Sequence, residues 1–110
     1  MVKLSPATCQ IILQVFAPED QAEAARILAY DCANNIPLFE TQDETGLDRM
    51  RFAVLKLCRG NLAELRWWVG LAQEDWRNVL LAAGFAEKGS AHREWARATY
   101  GITSTEPSET

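Results

Sequence analysis

Residues 62–85 read LAELRWWVGLAQEDWRNVLLAAGF, the longest and most regular hydrophobic period in the chain. Leu62, Leu65, Val69, Ala72, Trp76, Val79 and Ala83 recur at spacings of three and four, so at about 100° per residue they form one stripe of a helix. Gln73, Glu74 and Asp75 interrupt the apolar character, and Asp75 is placed to cap a new helix at Trp76, so a break is expected there. Gly84 followed by Phe85 is the glycine and apolar pair of a Schellman termination, with Phe85 folding back on the last turn.

Upstream, Thr45 with Asp48 resembles a capping box and opens a helix that Gly60 ends. Leu47, Met50, Val54, Leu57 and Cys58 share one of its faces. Asn61 with Glu64 repeats the box, so the chain turns sharply into the long stretch and two adjacent antiparallel helices are expected. Nearer the start, Ser5 and Pro6 suit an N-cap and first helical position, and Cys9, Ile12, Leu13 and Phe16 keep the helical period. The β-branched residues Ile11, Ile12 and Val15 leave a strand open as the alternative. Pro18, Glu19 and Asp20 begin another helix, whose core face is Ala22, Ala25, Leu28, Ala29 and Cys32. Asn34, Asn35 and Pro37 end it, and IPLFETQDET (residues 36–45) is the longest connection, with Leu38 and Phe39 expected against the core. Gly89 and Ser90 open a last helix through His92, Trp95 and Ala98, and Gly101 stops it.

The fold class expected is therefore all-α, a single compact bundle of five or six short helices with glycine and proline at the turns, over residues 1–102. The last eight residues, TSTEPSET, form a flexible tail. A chain of 110 residues with 48% apolar and 24% charged side chains suits one globular domain. No apolar run approaches the ~20 residues of a membrane span, and the first residues lack a basic region followed by an apolar core, so a cytoplasmic protein without membrane contact is expected. Cys9, Cys32 and Cys58 are odd in number, widely spaced and on or beside apolar helical faces, which points to buried reduced thiols.

Chemistry has little to build on. His92 is the only histidine, so no multi-histidine metal site can form within one chain, and a solvated or hydrogen-bonded helix-end histidine is expected. A Cys-His nucleophile pair would need an exposed thiol beside it. Glu40, Asp43, Glu44 and Asp48 miss the EF-hand spacing, and there is no glycine-rich phosphate loop. No catalytic residue, metal or cofactor is expected.

The aromatic residues say more. With Leu65 at the centre of the stripe, Trp68 lies about 60° to one side, while Trp67 lies about 200° away with Leu71 and Leu81 leaning the same way. On the preceding helix Phe52 lies opposite Val54, flanked by Arg49, Lys56 and Arg59. Either these helices are central and covered on two faces, or Arg49, Phe52, Lys56, Arg59, Trp67 and Leu71 form a surface for a partner protein or a second copy. For Trp67, burial by another helix of the same chain is the favoured outcome.

Charge is uneven. Residues 19–48 carry eight acids against Arg26, a net of −7, and residues 49–101 carry nine bases against five acids, a net of +4. Two halves attracting one another account for this. Basic residues interleaved with aromatics also raise a nucleic-acid-associated regulator as the alternative, but a pI near 4.9 and the apolar VLLAAGF segment argue against nucleic acid. A small enzyme is the remaining alternative.

The segment DWRNVLLAAGF (residues 75–85) resembles a signature of small uncharacterised bacterial helical proteins, over about residues 47–95. The resemblance implies a bacterial helical domain and carries no activity with it.

Overall fold

The computed structural model describes residues 4–32, 44–87 and 90–102; for residues 31 and 44–46 it describes only the helical backbone. Asn34 to Asp43, Gly89 and the tail lie outside the described residues. The described residues form five α-helices: α1 (Pro6–Val15), α2 (Pro18–Arg26) with a π-helical turn (Ile27–Asp31) at its end, α3 (Glu44–Cys58), α4 (Leu62–Ala83) and α5 (Ala91–Tyr100). No strand occurs among the described residues, so the all-α bundle holds.

Ser5 caps α1 as expected, its Oγ accepting from Thr8 N at 3.1 Å, with Pro6 at the first position. The strand alternative for residues 11–15 falls with it. The buried face differs from the expected one: Ala7, Thr8, Ile11 and Ile12 are buried, while Cys9 and Leu13 are exposed. The cause is polar. Thr8 Oγ1 and Ser5 Oγ both donate to Asp48 Oδ1, at 3.1 and 2.9 Å, and holding this pair inward turns Cys9 and Leu13 to solvent. Asp48 is thereby buried in the interior, and α3 is already helical at Glu44, one residue before the expected start at Thr45.

Ala17 is extended, as a residue before proline prefers, and α2 restarts at Pro18. Its buried residues are Ala24, Ile27, Leu28, Ala29 and Cys32; Ala22 is exposed and Ala25 half-buried. The wider π turn shifts the phase of the last residues, and Arg51 holds that turn. Its buried Nε donates to the carbonyls of Leu28 at 2.9 Å and Cys32 at 3.2 Å.

Helix α3 is the centre of the bundle. Met50 to Leu55 are six consecutive buried residues, so both faces are covered. After Cys58 the backbone passes through left-handed Arg59 (φ 53°) and Gly60 (φ 78°). Asn61 Oδ1 then caps α4 by accepting from Glu64 N at 2.9 Å, while the Asn61 amide goes to Cys58 O, so only half of the second box forms.

Helix α4 packs more extensively on α3 than any other pair. Leu65, Val69, Ala72, Val79 and Ala83 of the stripe are buried, with Leu80, and Leu62 and Trp76 are half-buried. The expected break is present: Asp75 leaves helical geometry (φ −154°, ψ 83°), and Asn78 Nδ2 donates to its Oδ2 at 2.9 Å. At the far end Gly84 is left-handed (φ 83°), Phe85 N reaches Leu80 O and Gly84 N reaches Leu81 O, which is the Schellman pair, and Phe85 is buried. Helix α5 closes the fold over Phe52 and Phe85 with His92 and Trp95, ring centroids 5.3 to 6.3 Å apart, and ends at left-handed Gly101.

Candidate functional site

Five of the six residues expected to bind a partner fall into three settings, and the sixth, Arg59, is exposed in the left-handed turn after α3. Phe52 is fully buried under α5, so it is a core residue and not part of a surface. The run of buried residues around it shows why: α3 needs two apolar faces because α5 covers the one that α4 does not.

Arg49 and Lys56 are tied to the end of α4. Arg49 Nε donates to Phe85 O at 3.1 Å and its Nη2 to Ala86 O at 3.1 Å. Lys56 Nζ donates to Ala83 O at 2.6 Å and lies 5.0 Å from the centre of the Phe85 ring. Cations at a helix C-terminus satisfy its last carbonyls and oppose the negative end of its dipole, so these two side chains fasten the α4 terminus to α3.

Trp67 and Leu71 remain together on the surface. Trp67 is 60% exposed, against the expected burial by another helix, and no described element covers it. The edge of the half-buried Trp68 supports its ring, with centroids 4.8 Å apart at 88°. Beside it a groove of about 260 Å³ is lined by Arg66, Trp67, Gly70, Leu71 and Glu74. Gly70 makes the groove: a side chain there would meet nothing within 4 Å, so the helix backbone is its open floor. Past the kink a second hollow of about 320 Å³ lies among Arg49, Trp76, Arg77, Leu80, Leu81 and Ala86, with Leu81 61% exposed. Gly70 was the signal missed in the sequence, since a glycine inside an otherwise strong helix asks for a reason.

The basic residues do not form a phosphate track. Arg66 Nη2 bridges to Glu23 on α2 at 2.9 Å, Arg77 lies 5.3 Å from the Trp76 ring centre, and Arg49 and Lys56 are at carbonyls. Glu23 also takes a hydrogen bond from Arg26. That bond first, then the one from Arg66, holds its carboxyl at about 2, below the usual 4.5, although partial burial works the other way. This bridge is a visible part of the attraction between the acidic and basic halves.

His92 is fully enclosed among aromatic rings, which corrects the solvated alternative. Of the thiols, Cys32 and Cys58 are buried, burial pushing Cys58 above the usual thiol range, but Cys9 is exposed. Among the described residues no group of three or more His, Cys, Asp or Glu side chains is placed to hold a metal ion, and no helix is long and apolar enough to cross a membrane. Set against known proteins, the chain matches no protein-family model, no curated protein and no solved structure.

Proposed function

We propose that this protein is a non-enzymatic interaction module that binds another protein, or a second copy of itself, through the Trp67 face of α4. The observation that carries the proposal is a tryptophan 60% exposed beside a glycine-floored groove, on a helix otherwise packed on its inner side. A large rigid ring held ready by Trp68 gives contact area at low entropic cost, and tryptophan is concentrated at binding hot spots. Leu71 lines the same groove. A bacterial cytoplasmic setting belongs to the same proposal; it rests on the DWRNVLLAAGF resemblance and on three cysteines that form no disulfide. The nucleic-acid alternative loses support because Arg49, Lys56, Arg66 and Arg77 each have a local partner.

Sizing and thermal melting of Trp67→Ala test this. The expected result is a monomer that melts as the wild type does but has lost self-association, or capture of its partner from the native organism. A variant that unfolds, or one that associates unchanged, removes Trp67 as the binding residue.

A further inference from the structure

On the side of α4 away from the Trp67 groove's lining, a cleft of about 670 Å³ opens between the end of α3 and the two halves of the kinked helix. Lys56, Leu57, Cys58 and Arg59 line it from α3 and the turn that follows. Asn61, Glu64 and Trp68 line it from the first half of α4, and Ala82 from the second. Trp68 and Ala82, on either side of the Asp75 break, both line the cleft. Its volume falls in the range of small-molecule sites, roughly 300 to 1,000 Å³.

The lining is divided by chemistry. Leu57, Cys58, Ala82 and the Trp68 ring supply an apolar wall. Lys56 and Arg59 bring two cations against the single carboxylate of Glu64. Lys56 commits a proton to Ala83 O, but an ammonium has three to give. Trp68 Nε1 is closed off from solvent, so the indole offers the cleft its ring and not its N–H. Lys56 and Arg59 can only donate, so the complement of the cleft is a molecule with an anionic, acceptor-rich end and an apolar body.

We infer that this cleft binds a small amphipathic anion, its carboxylate, sulfonate or phosphate head at Lys56 and Arg59 and its apolar body along Trp68 and Leu57. The site is separate from the Trp67 surface, and its occupation does not depend on that surface having a partner.

The test uses anilinonaphthalene sulfonate, an aromatic anion that fluoresces when removed from water, titrated into the whole folded chain. Saturable one-to-one binding is expected, with energy transfer from tryptophan. Arg59→Asn, which keeps a residue tolerant of the left-handed backbone, should weaken binding about tenfold, the size of one charge-assisted hydrogen bond. The uncharged phenylnaphthylamine should bind more weakly than the sulfonate, and Trp67→Ala should leave the sulfonate's affinity unchanged. Absence of saturable binding, equal affinity in Arg59→Asn, equal binding of the uncharged analogue, or loss confined to Trp67→Ala would each overturn the inference.

Discussion

A Cβ placed on Gly60 would lie 2.3 Å from the carbonyl oxygen of Val15, so the turn between α3 and α4 presses directly on the end of α1. Gly60 also has φ 78°, which side chains resist, and neither problem can relax by moving a flexible side chain. Gly60→Ala should destabilise the protein by at least about 2 kcal/mol. Gly84→Ala has the left-handed backbone (φ 83°) but only Lys56 Nζ at 3.8 Å, and should cost about 1 kcal/mol. Gly70→Ala lies in open helix and should stabilise by about 0.5 to 1 kcal/mol. Denaturant melts of the three variants check the order; equal effects of Gly60→Ala and Gly84→Ala would remove the α1 contact.

Asp48 joins α1 to α3 through two buried hydroxyls. Asp48→Ala strips the shared buried acceptor from Ser5 and Thr8 together and should cost about 3 kcal/mol or more. Ser5→Ala removes one donor and the α1 cap, about 1 to 2 kcal/mol. Since both act on one network, the double variant should cost less than the sum of the two. Strict additivity would show that the three groups are not coupled.

The elements were legible in the sequence because local chemistry writes their ends. Ser5 with Pro6, Asn61, Asp75, Gly84 with Phe85, and Gly101 each mark a boundary by a cap or a left-handed residue that needs no tertiary partner. The rotation of α1 and of the end of α2 was not legible. Both are set by polar side chains from α3, Asp48 and Arg51, reaching across the fold, and such bonds leave no periodic trace. The second apolar faces of α3 and α4 looked alike, yet Phe52 is covered and Trp67 is not. Which face receives α5 depends on the path of the chain after Gly84. The bonds of Arg49 and Lys56 to the end of α4 were not legible for a related reason: a base near an aromatic in sequence says nothing of the helix end it meets in space. Of the candidate surface, the place of Trp67 and Leu71 off the main stripe was legible, but the exposure of Trp67 runs against the favoured burial and the groove of Gly70 was not legible.

Truncation separates these two aromatics. Phe52→Ala should cost about 3 to 5 kcal/mol and leave little folded protein, because it opens a cavity beneath His92 and Trp95. Trp67→Ala should change stability by less than about 1 kcal/mol, its ring touching chiefly Trp68. Circular-dichroism melts decide this, and a Trp67→Ala melt as low as that of Phe52→Ala would mean the ring is covered.

The thiols should divide one to two. At neutral pH a thiol reagent should modify exposed Cys9 at once, while Cys32 and Cys58 wait for unfolding. Burial raises the Cys58 pKa and so suppresses its thiolate as well as its access. Mass spectrometry of briefly labelled native protein gives the count; early modification of Cys58 would place its helix end in the open.

Glu23 receives Arg26 from its own helix and Arg66 from α4, and its carboxyl titrates at about 2 where 4.5 is usual. A carboxyl whose pKa is lowered on folding stabilises the folded state when ionised. That contribution is complete above 4.5, where the unfolded group is also ionised, and it is lost as the pH falls from 4.5 through 2. The pair is exposed, so its effect on stability is modest and salt weakens it. The shift itself is the sharper measurement. In a carboxyl-detected NMR titration the Glu23 midpoint should rise in Arg66→Gln and rise further in Arg26→Gln, because the Arg26 hydrogen bond is the larger cause. Only the Arg66 variant should also weaken the link between α2 and α4, visible as faster amide exchange around Glu23 with α4 itself unchanged. A wild-type midpoint near 4.5 would mean that neither guanidinium is held at the carboxylate in solution.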